Sequence, residues 1–291
     1  MREPCAGAAG AAGAAAPRIA RGTIVAVALL LIIVLAATAA PLLAPYDPAA
    51  QPDIVGGSTS APSAAHPLGT DQFSRDVLSR LLFGARISLL VGFLATFVAV
   101  TVGSAYGLAA GYLGGLADEV MMRLVDALMA IPRVLLVLAL VALWGRMSTT
   151  ALVLLLGLTG WFQLSRLVRA EVLVAREGDY VASARALGAH DFRIAIRHVL
   201  PNVLPPIIVF ATIGVGNVIV LEAGLSYLGF GIQPPTPSWG NMIRDGAELM
   251  TAGWWISLFP GLAIVATVVA VNALGDRLQR AFRQPEFSAH E

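Results

Sequence analysis

Between Arg86 and Asp118 the chain carries no charged residue. A bilayer core about 30 Å thick needs roughly 20 mostly apolar residues per helix, and this stretch is long enough to cross one. Five further runs have the same character: Ile24–Leu43, Leu124–Trp144, Met147–Leu164, Val203–Leu221 and Trp254–Leu274, beside Ile87–Gly111 inside the uncharged stretch. Only helices or closed barrels satisfy the backbone in lipid, and none of the six alternates with period two, so they read as helices. The expected fold is an all-α membrane protein with six transmembrane helices. Composition agrees: 57% of residues are hydrophobic and 13% charged, against about 25% charged in a soluble domain. The net charge of +1 gives no bulk field for an acidic partner. A soluble enzyme, a disordered protein and a nucleic-acid binder are excluded as classes.

Arginine sets the orientation, because cytoplasmic loops retain basic residues. With the N-terminus inside, only Arg75, Arg80, Arg86, Arg146 and Arg244 fall outside, Arg133 is unassigned, and the remaining arginines are inner. Both termini are then cytoplasmic. Arg18 and Arg21 before an apolar run, with Ala37-Thr38-Ala39 after it, resemble a cleaved signal. The run is long for a signal core and Pro41 follows the cut, so it is read as a retained span. Asp71–Arg86, with three arginines and two aspartates, reads as an amphipathic helix on the outer surface.

The chain divides into a low-complexity tail (1–21), a first helix with its outer loop (22–86), a core of five helices (87–280) and a C-terminal tail (281–291). Residues 45–70 and 225–253 are outer loops. Prolines stiffen the second one at Pro234, Pro235 and Pro237. The inner segment 166–202 is the most polar and is patterned. Asp179 is placed to cap a helix of small residues from Tyr180 to Leu187, Gly188 to end it, and Asp191 to cap a second helix to Leu200. Arg193 and Arg197 share a face of that helix. Lipid phosphates are as reasonable a destination for them, on spacing alone, as a protein.

The residue inventory removes enzyme classes. There is no lysine, so neither a Schiff-base lysine nor a Gly-Lys-Ser/Thr phosphate loop exists. The histidines His66, His190, His198 and His290 lie outside the spans, and HExxH is absent. The single cysteine, Cys5, makes no internal disulfide. A charge within a span defaults to function because its burial is expensive. That singles out Asp126 and Glu222, with Asn217 preceding Glu222, as candidates to line a translocation pathway. Arg133 is read as snorkelling from a span end.

Tyr180-Val181-Ala182-Ser183-Ala184-Arg185-Ala186-Leu187-Gly188-Ala189, followed by Arg197-His198-Val199-Leu200-Pro201-Asn202, resembles the EAA loop of ABC importer permeases. His66–Asp71, Arg75–Arg80, Gly84–Leu89, Met122–Asp126 with Pro132, and Gln233–Asn241 narrow the likeness to the C-type permease subunit of dipeptide, oligopeptide and nickel importers. The resemblance runs from about Ala44 to Arg280. It implies a type I importer fold in which residues 180–189, with Arg193, form a cytoplasmic coupling helix between spans four and five. It implies a homologous B-type permease partner, two cytoplasmic ATPase subunits that hold ATP and Mg, and an outer solute-binding protein met by residues 45–80 and 225–253. This chain would bind no cofactor and catalyse nothing. One position departs from the pattern: Ala182 stands where the family has the glutamate that names the motif, so no salt bridge from that glutamate forms. The competing readings are a proton-driven secondary transporter using Asp126 or Glu222, and an exporter or pore with the same ATPase partners. A docking helix of small residues is unneeded in the first. Long outer loops favour import over the second. The solute itself is not specified; peptides, nickel chelates and related small solutes all remain open.

Overall fold

A computed structural model describes residues 21–52 and 59–283; the low-complexity tail and residues 284–291 lie outside the described residues. Every regular element described is helical. In chain order they are α1 (Arg21–Thr38), α2 (Ala40–Leu43), α3 (Val77–Leu113), α4 (Gly115–Met129), α5 (Arg133–Trp144), α6 (Thr149–Leu158), α7 (Phe162–Ala175), α8 (Asp179–Ala186), α9 (Asp191–Ile194), α10 (Leu200–Tyr227), α11 (Trp239–Ala247) and α12 (Trp254–Arg283). A π-turn at Ala195–Val199 joins α9 to α10, making one 37-residue helix from Asp191 to Tyr227.

Among the described residues three helices are long and apolar enough to cross a membrane: α3, the α9–α10 helix and α12. The count rises to five if each of two bent pairs, α4–α5 and α6–α7, is one crossing. The breaks have local causes. Pro132 pushes the residue before it away from helical backbone, and α5 leaves α4 at 77°. Gly160 lies in the break between α6 and α7, which meet at 42°. The expected first span is also divided. Pro41 cannot donate to a carbonyl one turn back, so α1 stops at Thr38 and α2 starts afresh.

One expectation needs correction. Residues 71–86 do not form a separate surface helix. Asp76 caps α3 by accepting from the Ser79 amide, and the helix then runs unbroken into the membrane. Arg75 and Arg80 are buried. Further along, the α9–α10 helix is unbroken. The helix continues through Pro201, Pro205 and Pro206. The π-turn loosens the ladder just before them, and the Asn202 side-chain amide donates to the His198 carbonyl at 2.6 Å.

α3 is the central strut, packed against α7, α10 and α6. Its contact with α7 is close because Gly103, Gly107 and Gly111 recur every four residues. A Cβ at Gly107 would collide with the Ser165 carbonyl oxygen, and one at Gly111 would stand 2.9 Å from Val172 Cβ. Small residues at this spacing let helix backbones approach where lipid supplies no hydrophobic drive.

Candidate functional site

The inner loop is built from three helices. α8 sets Val181 and Ala184 into a core with Val168, Val172, Ile194 and Val199. Two carbonyls of the neighbouring helices hold the entry: Arg176 Nη1 donates to Gly111 O at 2.8 Å, and Tyr180 Oη to Ala175 O at 2.9 Å. Tyr112 Oη, at the end of α3, donates to Asp191 Oδ1 at 2.8 Å. Arg185 lies 3.6 Å from the same carboxylate.

The cap assignments differ from expectation by one residue. Gly178 and His190 are the N-caps of α8 and α9, and neither Asp179 nor Asp191 makes a side-chain cap. Each aspartate sits in the first turn, where the helix dipole still favours it. Gly188 does end α8, at φ +81°. The Gly188 amide donates to Arg185 O at 3.0 Å and the Ala189 amide to Ala184 O at 3.1 Å, the paired bonds of a Schellman turn.

The outward side of this unit is Tyr180, Ala182, Ser183, Arg185, Ala186, Leu187, Gly188 and Arg193, all exposed. Leu187 is 88% and Phe192 79% exposed. Ala184 instead faces inward and Ala189 is half-buried. A hollow of about 410 Å³ beside Gly188 is lined by Ala184, Leu187, Ala189, Arg193, Arg197 and His198.

The three candidate pathway residues are not brought together. Asp126 is exposed on α4 and lies 3.5 Å from Arg166 of α7. Both line a polar cavity of about 700 Å³ with Asp118, Glu119, Arg123 and Arg169. Asp118 accepts from Arg169 Nε and Nη2, each at 2.6 Å. Asn217 is exposed, whereas Glu222 is fully buried, so the shared polar cavity expected for the two does not form within this chain. Five residues on a helix rotate the side chain to another face. Glu222 accepts from Ser226 Oγ at 2.6 Å and Ser88 Oγ at 3.3 Å. Ser226 Oγ also accepts the Ile232 amide at 3.0 Å, and Ser88 Oγ the Trp239 amide at 3.3 Å. The carboxyl is therefore the centre of a knot tying α10, α3 and the outer loop together. Arg133 is partly buried and donates to Leu156 O at 2.8 Å, a local partner in place of the membrane surface.

A second outer cluster escaped sequence reasoning. Asp71, fully buried, accepts from Arg75 Nε at 2.7 Å and also pairs with Arg80. Asp245 of α11 receives Arg75 Nη2 at 2.9 Å and Arg80 Nη1 at 3.1 Å. Two acids and two arginines thus clamp residues 71–80 to α11. Asp245 lies 165 and 170 positions from its two arginines, so no spacing rule reveals that half of the cluster; the signal for the other half was two aspartates among three arginines in 71–86, with Asp71 and Arg75 four apart.

Comparison with known proteins bears on the whole arrangement. Residues 103–284 match the family of binding-protein-dependent transport system inner membrane components. The glutathione transport system permease protein GsiD of Pectobacterium atrosepticum is 42% identical, over 76% of this chain and 73% of its own length. The dipeptide transport system permease protein DppC of Escherichia coli is 43% identical, over 90% and 88%. The fold is similar to a chain in inward-facing structures of the MetNI methionine ABC transporter, at a TM-score of 0.56 and 19% identity, covering 69% of this chain and 95% of that one. The chain belongs to the family of inner membrane components of binding-protein-dependent transport systems, as a multi-pass permease subunit of an ABC importer.

Proposed function

We propose that this subunit forms half of a transmembrane pathway for peptides or related small solutes, with α8 as the helix through which ATPase subunits drive it. Six crossings would be made by α1–α2, α3, α4–α5, α6–α7, α9–α10 and α12, with both termini on the cytoplasmic side of the plasma membrane. A homologous B-type permease completes the pathway. Two cytoplasmic ATPase subunits carry the ATP and Mg. A solute-binding protein delivers the ligand to the outer loops. The solute class rests on relatives whose names specify glutathione and dipeptide transport.

The observation that carries the coupling role is mechanical. α8 turns through Gly188 directly into the helix Asp191–Tyr227, about 55 Å long at 1.5 Å per residue. Its far end is Glu222 and Ser226, in the outer knot. A displacement at α8 therefore reaches the outer loop along one rod. ATP closure moves the seated helix, and the spans switch between two packed states; the solute shifts that balance only by its differential affinity for them. Asp126 and Asn217, both exposed, remain the pathway candidates. Glu222 has the role of fixing the outer end of the rod.

The test is solute-stimulated ATP hydrolysis in the reconstituted complex. Gly188→Leu puts a side chain at φ +81° and rebuilds the turn. Coupling is expected to fall at least tenfold while basal hydrolysis persists. Unchanged stimulation removes the coupling assignment.

A further inference from the structure

We infer that the hollow beside Gly188 receives a carboxylate of the ATPase partner, held by Arg193 and Arg197. This rests on the reading of α8 as the docking helix and adds the chemistry of the contact. The two arginines are four residues apart, exposed, and line the hollow with His198. Among the described residues neither makes an ion pair, and unlike Arg86, Arg146 and Arg244, which share that state, these two line one hollow together. The floor is Ala184, Gly188 and Ala189, small enough to leave room for an inserted acidic side chain. Leu187 lines the hollow as well, and Leu187 and Phe192 are the most exposed large apolar side chains of this loop. Covering them would exclude water from the charge contact and strengthen it.

The polarity follows from the sequence. The exposed face of α8 from Tyr180 to Leu187 carries no carboxylate, so the charge this hollow offers a partner is the positive one of Arg193 and Arg197. A lipid surface is the weaker occupant. Glu177, Asp179 and Asp191 are exposed on the same loop and would be repelled by an anionic leaflet, while a protein surface can complement both signs.

The experiment uses the full complex with its ATPase subunits. Arg193→Glu with Arg197→Glu should weaken ATPase retention at least tenfold during co-purification. The neutral pair Arg193→Gln with Arg197→Gln should do so less. Replacing by arginine the ATPase carboxylate that cross-links to position 193 should restore retention in the Glu pair. Leu187→Asp serves as the docking control. If Leu187→Asp releases the ATPase subunits but both arginine pairs retain them as wild type does, the carboxylate receptor is wrong and the docking helix stands. If none of the variants releases them, both readings fail. If the arginine pairs keep the ATPase subunits but abolish a dependence of activity on phosphatidylglycerol in the vesicles, the occupant is lipid and the inference is overturned.

Discussion

The two ends of this subunit that the proposed topology places outside and inside are built on opposite plans. At the outer end, charge is buried and answered within the chain: Asp71, Arg75, Arg80 and Asp245 neutralise one another, and Glu222 is wrapped by serines. At the inner end Asp118 still pairs with Arg169, but around α8 charge and apolar surface are left open: Arg193, Arg197, Leu187 and Phe192 are all exposed. A buried charge must be satisfied at folding, because leaving it unpaired costs several kcal/mol. An exposed one can wait for a partner. The difference teaches where each end finds its partners: the outer cluster within this chain and, on the proposed docking role of α8, the exposed inner side chains on another subunit. Substitutions at the outer end should therefore cost stability, and those at the inner end should cost coupling.

The strongest attempt to break that contrast is Asp71→Ala. It leaves two buried guanidinium groups to share the one remaining carboxylate, Asp245, and a loss of ~3–5 kcal/mol is expected, read as a lowered thermal midpoint of the solubilised complex. A change smaller than about 1 kcal/mol, the scale of a surface pair, would show that the cluster is not structural. Glu222→Ala comes next. It leaves the Ser88 and Ser226 hydroxyls without their acceptor and opens a cavity, for ~2–3 kcal/mol. Glu222→Gln keeps an acceptor and should lie within about 1 kcal/mol of wild type. Transport abolished in Glu222→Gln at unchanged stability would return this residue to the pathway. Gly107→Ala tests the middle of the molecule. Its Cβ would meet the Ser165 carbonyl, and forcing α3 from α7 should cost ~1–3 kcal/mol. The smallest effect on stability belongs to the inner end. Leu187→Ala removes an exposed side chain and should stay within ±0.5 kcal/mol, yet solute-stimulated hydrolysis should fall. A stability loss there would mean that Leu187 packs within the chain.

The sequence made legible whatever depends on local pattern. Long uncharged runs marked the apolar helices, and Gly188 marked the end of α8 because only a residue without Cβ adopts that turn freely. Pro132 sat at a real break, but its angle depends on what α5 packs against, which no pattern within Leu124–Trp144 states. The ion cluster was illegible for a related reason: Asp71 and Asp245 meet only through the fold. Treating 71–86 as an amphipathic surface helix followed from charged residues normally facing water, a rule that fails where each charge finds a buried counter-charge. Glu222 and Asn217 looked like companions by proximity in sequence, and helix geometry separated them. The helix at α8 was legible in its run of alanines and its glycine stop, whereas which of its side chains face outward was not: Ala184 turns inward.

The most direct test of the docking claim is accessibility of α8 in the assembled complex. With Cys5→Ala removing the native thiol, Ala186→Cys places a single reporter on the exposed face. Its reaction with a water-soluble maleimide should slow at least tenfold when the ATPase subunits are bound and recover when they are stripped away. Equal rates in the two preparations would contradict the account.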